Sequence, residues 1–240
     1  MIEYRRENLQ NMPFDKTVNA SLWLDKYLKD DGDEAKKNLV QEVVSVEVSK
    51  AYEDFYRHWT DALTKQSIMT KEAETLGRLA VNLGAEAVLE NSIALNRTYG
   101  VPYIPGSALK GLASHYAKSS LGDAWAEKSP NNKTLFGAED EAGYVNFFDA
   151  LYIPKSGKCL VADVVTVHHQ EYYQGGGVPP ADWDSPIPNH FLTAHGKFLL
   201  ALSGREDWVR AGFEVLKLAL ANEGIGAKTS SGYGRMKLIG

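Results

Sequence analysis

The segment that most restricts the possible local structures is a glycine-rich stretch near the end of the chain, residues 224–235. Its sequence, GIGAKTSSGYGR, holds four glycines, three Ser or Thr hydroxyls, one Lys, one Arg and no acidic residue. The apolar residues before it recur at helical spacing, at Val209, Phe213, Leu216 and Leu220. We therefore predict a helix that ends at Gly224, a loop with positive φ angles, and a final strand over residues 233–239.

The same stretch has the chemistry of an anion-binding loop. Glycines at this density let backbone N–H groups approach a phosphate closely, and Lys228 and Arg235 supply positive charge. A connection with a few solvated charges is the alternative that this stretch alone leaves open. A nucleotide-binding P-loop is excluded, because that motif needs Gly directly before Lys and a helix after the loop. Here Ala227 precedes Lys228, and the following residues are typical of a strand.

Composition indicates a globular protein. With 240 residues, of which 44% are hydrophobic, the chain fits one large domain or one domain with an appendage. No apolar run approaches the ~20 residues of a membrane span, and the first residues lack the apolar segment of a secretion signal. We expect a cytoplasmic protein with no membrane contact. The single cysteine, Cys159, excludes an internal disulfide and a cysteine-based zinc site, and we expect no metal and no cofactor.

Charge is distributed unevenly along the chain. The formal net charge is −5, and residues 1–75 contribute 11 Lys and Arg against 15 Asp and Glu. Residues 224–240 hold three basic residues and no acid. A local basic face on an acidic protein suits a subunit that meets RNA there and protein elsewhere.

Residues 1–75 are predicted to form an N-terminal helical appendage. Ala20, Trp23, Leu24, Tyr27 and Leu28 form one apolar stripe, and a second stripe contains Tyr52, Phe55, Tyr56, Trp59 and Leu63. Aromatic side chains stack on bases in some RNA-binding proteins, but this spacing favours packing of one helix on its neighbours.

A second motif, residues 97–112, has the sequence RTYGVPYIPGSALKGL. Its prolines hold residues 101–105 extended, and Ser107 is the expected N-cap of a helix that follows. The N–H groups at that helix start, with Lys110 in the first turn, predict an anion site. An ordinary capped helix with an exposed lysine is the alternative.

The remaining pattern predicts an α+β fold. Strands are expected over residues 76–83 and 88–95, a strand pair over 144–153 and 160–168, and another strand over 191–202. A long polar segment, residues 170–189, is an expected loop insertion. From residue 76 the order is β-α-β-β-(β)-α-β, which predicts a ferredoxin-like, RNA-recognition-like domain over residues 76–240.

Two motifs together carry a family resemblance. IPGSALKG, at residues 104–111, resembles the helix-opening signature of the RAMP superfamily of CRISPR RNA-binding proteins, and the glycine-rich stretch resembles the C-terminal loop of that superfamily. Further features resemble the sixth-subunit family of the Cmr (type III-B) effector complex. These are YGVPY at 99–103, LFG at 135–137, DVVTVHHQEYY at 163–173 and PADW at 180–183. The resemblance covers residues 76–240.

The resemblance implies a non-catalytic structural subunit of an RNA-guided complex in antiviral defence. Such a subunit holds the 3′ part of the guide (CRISPR) RNA and caps the backbone filament. Its implied partners are guide and target RNA, a RAMP backbone subunit and a small helical subunit. The expected RNA contacts are Arg97, Gly106, Ser107, Lys110, Gly226, Lys228, Thr229, Ser230, Tyr233 and Arg235.

Two other functions stay open at this point. Some RAMP relatives process guide RNA without metal, so His115 or His168 is a candidate base of an endoribonuclease. His169, Asp163, Asp182 and Asp184 are weaker candidates, because neighbouring strand residues point to opposite faces and loops favour Asp without any catalytic role. A protein-only assembly factor is the third possibility. Tyr172, Tyr173 and Trp183 are expected to contact either a guide–target duplex or, more in keeping with the prolines around them, a neighbouring subunit.

Overall fold

The protein is described by a computed structural model that covers residue 9, residues 11–167 and residues 187–239. The helices are α1 Ala20–Lys26, α2 Asp33–Ser45, α3 Lys50–Lys65, α4 Gly106–Ser120, α5 Pro130–Phe136 and α6 Glu206–Asn222. The strands are β1 Met69–Thr75, β2 Tyr103–Ile104, β3 Val145–Phe147, β4 Ala150–Tyr152, β5 Leu160–Val167, β6 Ile187–Ala194, β7 Lys197–Gly204 and β8 Met236–Ile239. Within these ranges, no helix combines the length and apolar composition needed to cross a bilayer.

The central sheet has the order β2-β4-β7-β1-β8, and its neighbouring strands are antiparallel. Strand β3 also pairs with β7, and β5 and β6 form a separate two-stranded sheet. In chain order, β1, α4, β4, β7, α6 and β8 make a β-α-β-β-α-β unit in which α4 packs against α6. The predicted α+β class is confirmed, and this topology is consistent with the ferredoxin-like prediction.

Both faces of β7 are buried. Phe198, Leu200 and Leu202 belong to the main core, which also contains the predicted apolar positions of α6. Leu199 and Ala201 point to the opposite face, where they pack with Leu63 of α3. Helix α3 therefore covers the sheet on the side away from α4 and α6.

The N-terminal helices share the main core. Trp23 of α1, Val43 of α2 and Tyr52 of α3 are all buried in the same hydrophobic cluster as the sheet. Phe55 stacks on Tyr99 with ring centroids 4.9 Å apart, so this aromatic stripe serves packing. Strand β1 lies on the N-terminal side of residue 76, and the division into an appendage and a domain stays a prediction.

The strands predicted over residues 76–83 and 88–95 are wrong. The first strand of the sheet is β1, whose charged residues hide its pattern because only Ala73 and Thr75 are buried. Strand β1 forms because its backbone groups make hydrogen bonds to β7 on one edge and to β8 on the other. The chain after it makes only isolated bridges, from Leu79 to Ala194 and from Leu95 to Pro102. Further backbone hydrogen bonds join residues 76–80 to the glycine-rich loop and residues 81–83 to residues 92–94.

The predicted strand pair over 144–153 and 160–168 is also wrong. Strands β3 and β4 pair with β7, whereas β5 pairs with β6 along its whole length. The single strand expected over 191–202 is two strands, β6 and β7, which are separated by His195 and Gly196. Local patterns predict extended backbone, but partner choice depends on tertiary packing that the patterns do not contain.

Candidate nucleic-acid interface

Backbone hydrogen bonds hold the glycine-rich loop in place on both sides of its tip. The Ala227 N–H donates to the Ala80 carbonyl at 2.7 Å, and the Gly234 N–H donates to the Arg78 carbonyl at 2.8 Å. The Leu76 N–H donates in turn to the Arg235 carbonyl at 2.9 Å. These bonds fix the loop against the extended chain that follows β1, so its tip is held in place.

The tip of the loop, residues 228–231, has the geometry of an anion site. Lys228 is left-handed, with φ 59° and ψ 32°, and a right-handed 3₁₀ turn over Thr229–Ser231 follows it. The N–H groups of Lys228, Thr229 and Ser230 have no acceptor within the part of the chain that the structure describes. A left-handed residue followed by a right-handed turn gathers successive N–H groups in one concavity, which favours an anion.

The other predicted residues of the loop make internal contacts. The Tyr233 hydroxyl donates to Oδ2 of Asp163 at 2.7 Å, and Nη1 of Arg235 donates to the Ala221 carbonyl at 2.8 Å. Arg235 thereby satisfies a carbonyl in the last turn of α6. Gly226 lies so close to Ala80 that a side chain at this position would meet the Ala80 carbonyl.

Helix α4 begins two residues earlier than predicted. Gly106 is its first residue, Pro105 is at the N-cap, and Ser107 does not cap the helix. Instead, Oδ1 of Asp149 accepts the Gly106 N–H at 2.7 Å. The predicted cap is wrong because a carboxylate from the turn between β3 and β4 supplies it. That carboxylate places a negative charge at the helix start, which weakens the case for a phosphate there.

Ser107 and Lys110 line an open groove of about 740 Å³ between α4, α5 and residues 137–140. Its basic residues are Lys110, Lys118, Lys128 and Lys133, and its acidic residues are Glu127, Glu139 and Asp140. Lys118 is paired with Glu127 at 3.2 Å. The groove is therefore polar and of mixed charge.

Arg97 belongs to the contact with the N-terminal helices. Its guanidinium pairs with Asp25 of α1, and its carbonyl accepts from Nδ2 of Asn19 at 3.1 Å. The Arg97 side chain remains 77% exposed.

The two motifs lie at opposite ends of β1. Gly106 packs on the backbone of Phe147, and Phe147 of β3 pairs with Leu202 of β7. On the other side of β7, Leu202 pairs with Met69, the first residue of β1. The glycine-rich loop leads into β8, whose first residue pairs with the last residue of β1. Seven residues of strand span roughly 20 Å. The structure therefore brings the loop together with residues 76–80 but not with the start of α4.

The chain is similar to known proteins. A family model described as the RAMP superfamily matches residues 72–237. The CRISPR system Cmr subunit Cmr6 of Pyrococcus furiosus is 34% identical over 245 residues, covering 77% of this chain and 72% of the relative. The chain belongs to the Cmr6 family of the RAMP superfamily. Cmr6 of Saccharolobus solfataricus is 28% identical over 173 residues, covering 71% of this chain and 56% of the relative.

The fold is also similar to that of a chain in a solved structure. A chain in the cryo-EM structure of type III-B Cmr-beta bound to cognate target RNA matches with a TM-score of 0.70. The match covers 85% of this chain and 71% of that chain at 22% identity. The family resemblance inferred from the two motifs is confirmed, and this likeness adds agreement in fold.

Arg78 is the residue that sequence reasoning missed in this Cmr6-family chain. Its Nη1 pairs with Oδ1 of Asp163 at 2.5 Å, beside the Tyr233 hydroxyl that bonds the same carboxylate. Burial alone raises the pKa of Asp163, but hydrogen bonds from Arg78, Tyr233 and the Val164 N–H outweigh it and lower that pKa. The only available signal was Asp163, which opens one of the Cmr6-like motifs.

The candidate catalytic residues fall into two groups. His115 is exposed on α4, and Asp163 is held in the network just described. The others lie outside the described residues: His168, His169, Tyr172, Tyr173, Asp182, Trp183 and Asp184. Among residues 11–167 and 187–239, no group of His, Cys, Asp and Glu has the arrangement of a metal site.

Proposed function

We propose that this chain is a non-catalytic RNA-binding subunit of a type III-B CRISPR effector complex. In this proposal it holds the 3′ part of the guide RNA and caps the backbone filament, next to a RAMP backbone subunit and a small helical subunit. Membership of the Cmr6 family supports a role in such a complex. The solved complex with a similar fold contains target RNA, which supports RNA as a partner.

The observation that carries the RNA contact is the exposed tip at residues 228–231. It combines the Lys228 ammonium with three backbone N–H groups that have no acceptor among the described residues, and residues 224–240 contain no acid. Such a site binds phosphate without reading sequence. A guide RNA needs this kind of contact, because its specificity comes from base pairing with the target.

The sheet face is a poor alternative site for RNA. RNA-recognition domains stack bases on the face of a four-stranded sheet. Here α3 occupies that face: Leu63 packs on Leu199, and Trp59 lies edge-on to Phe148 at 5.6 Å. Glu72 of β1 pairs in register with Leu199 on the same face, where Lys197 neutralises it in an ion pair at 3.5 Å. We therefore place the RNA at the loop end of the sheet.

A charge-removal experiment tests the loop contact. Lys228→Ala should flatten the dependence of log Kobs on log salt concentration by about 0.7–1 unit, because one phosphate contact is lost. Binding of fluorescent single-stranded RNA to the full chain would be measured across a salt series. Lys65→Ala is the matched control, since Lys65 is also exposed but lies at the other end of β1. Equal slopes for the two variants would contradict the assignment.

The alternative, an endoribonuclease that processes guide RNA without metal, predicts a discrete cut. Purified chain and repeat RNA would be incubated with a chelator and analysed on a gel. We expect intact RNA with both the natural chain and His115→Ala. A cut that His115→Ala or His168→Ala abolishes would replace the structural role with a catalytic one.

A further inference from the structure

We propose that Arg78 is the arginine that binds the RNA backbone at the glycine-rich loop, and that Asp163 and Tyr233 position it there. This inference rests on the proposed RNA-binding function and names a further residue of the same site. It also changes the role of Arg235, whose guanidinium serves the end of α6.

The backbone around Arg78 is fixed against the loop. Its carbonyl accepts the Gly234 N–H at 2.8 Å, and the next residue, Leu79, makes the bridge to Ala194 of β6. The residue before Gly234 is Tyr233, whose N–H donates to the Lys228 carbonyl at 3.3 Å. Hydrogen bonds thus connect Arg78 to the tip lysine through a short run of backbone.

The Arg78 guanidinium has N–H donors that make no contact among the described residues. Only one contact is made within the described residues, from Nη1 to Asp163, and the side chain is 44% exposed. A guanidinium carries five N–H donors in a planar fork that matches phosphate oxygens. The remaining donors are therefore available to a phosphate that approaches from solvent.

Asp163 is buried enough to orient Arg78 without repelling RNA. Its side chain is 13% exposed, and its two oxygens accept from Arg78 and from the Tyr233 hydroxyl. The Arg78 side chain is 44% exposed, so it is the more accessible partner of this ion pair. An RNA strand at the surface meets the positive group first, and Asp163 reduces the freedom that Arg78 would lose on binding.

Three variants separate positioning from simple charge. Arg78→Ala combined with Asp163→Asn leaves no uncompensated charge, and it should weaken RNA binding about 10-fold at low salt and flatten the salt slope by about 0.7–1 unit. Arg78→Lys should keep the slope of the natural chain but lose several-fold in affinity, because the planar fork is lost. Asp163→Asn alone should weaken binding about 3- to 10-fold at an unchanged slope.

The direction in which Asp163→Asn changes the affinity for RNA is the decisive measurement. If Asp163 were only a nearby negative charge, its removal would strengthen binding to RNA; the positioning role requires weaker binding. Arg235→Ala is the comparison variant, with an unchanged salt slope and a lower midpoint of unfolding. Thermal unfolding of each variant shows which of them fold, and Arg78→Lys retains both the charge and a partner for Asp163.

The possible failures are distinguishable. A natural chain with no salt-dependent RNA binding would overturn the proposed function and this inference with it. A second outcome is that the natural chain binds RNA and Lys228→Ala flattens the salt slope, while the Arg78 and Asp163 double variant keeps the natural slope and affinity. This outcome would overturn only the role of Arg78. Tighter binding by Asp163→Asn would overturn the positioning role of Asp163.

Discussion

Replacing Gly234 with alanine is expected to destabilise the protein by roughly 2–5 kcal/mol and to abolish RNA binding at the loop. Gly234 has φ 72°, where an L side chain costs about 1–2 kcal/mol by itself. An added Cβ would also overlap the Ile225 carbonyl oxygen, and overpacking of this kind costs roughly 1–3 kcal/mol more. Equilibrium unfolding in urea measures the change.

Gly232→Ala is the matched control for this prediction. Gly232 lies in the same loop with φ 90°, but a Cβ there would have no neighbour within 4 Å. We expect Gly232→Ala to lower the free energy of unfolding by only the cost of a positive φ angle in an L residue, about 1–2 kcal/mol. Equal losses of stability in the two variants would show that the close contact between Gly234 and Ile225 does not hold the loop together.

The second large effect is expected at Gly106, the first residue of α4. Its φ is not positive, so the constraint is contact alone: an added Cβ would lie 2.2 Å from the Phe147 carbonyl oxygen. Gly106→Ala should cost roughly 2–4 kcal/mol, from overpacking and from disturbance of the cap that Asp149 provides. The free energy of unfolding is again the measurement.

Gly111, in the same motif and the same helix, should respond in the opposite direction. A Cβ at Gly111 meets no atom within 4 Å, and alanine is preferred over glycine inside a helix by about 0.5–1 kcal/mol. Gly111→Ala should therefore raise the stability while Gly106→Ala lowers it. A loss at Gly111 similar to that at Gly106 would point to a general requirement for glycine in the motif rather than to the contact with Phe147.

Helices and glycine-rich connections could be predicted because their signals are local. The residues Val209, Phe213, Leu216 and Leu220 are all buried in α6, as their spacing predicts. Strand β1 could not be found in this way, since its charged residues, Lys71, Glu72 and Glu74, leave no apolar pattern. It exists through its pairing with β7 and β8. Pairing of β5 with β6 likewise depends on segments that are distant in sequence.

The candidate site could be predicted only in part, for the same reason. The basic tip at Lys228 follows from local composition, and the structure places it at an exposed turn. The carboxylate of Asp149 at the start of α4 and the pairing of Arg78 with Asp163 join residues far apart in the chain. Tertiary contacts of this kind decide which charged residues are free to bind RNA and which are occupied.

In the proposed function, the tip of the glycine-rich loop contacts guide RNA inside an effector complex. The most direct measurement is to purify the tagged chain gently from its natural host, crosslink it with ultraviolet light, and identify the RNA-bearing peptides by mass spectrometry. We expect co-purifying guide RNA with a repeat-derived 5′ end, crosslinked through its 3′ part to the peptide that contains Lys228 and Tyr233. Guide RNA crosslinked only to other subunits, with this peptide unmodified, would rule out the loop contact and favour a protein-only assembly role.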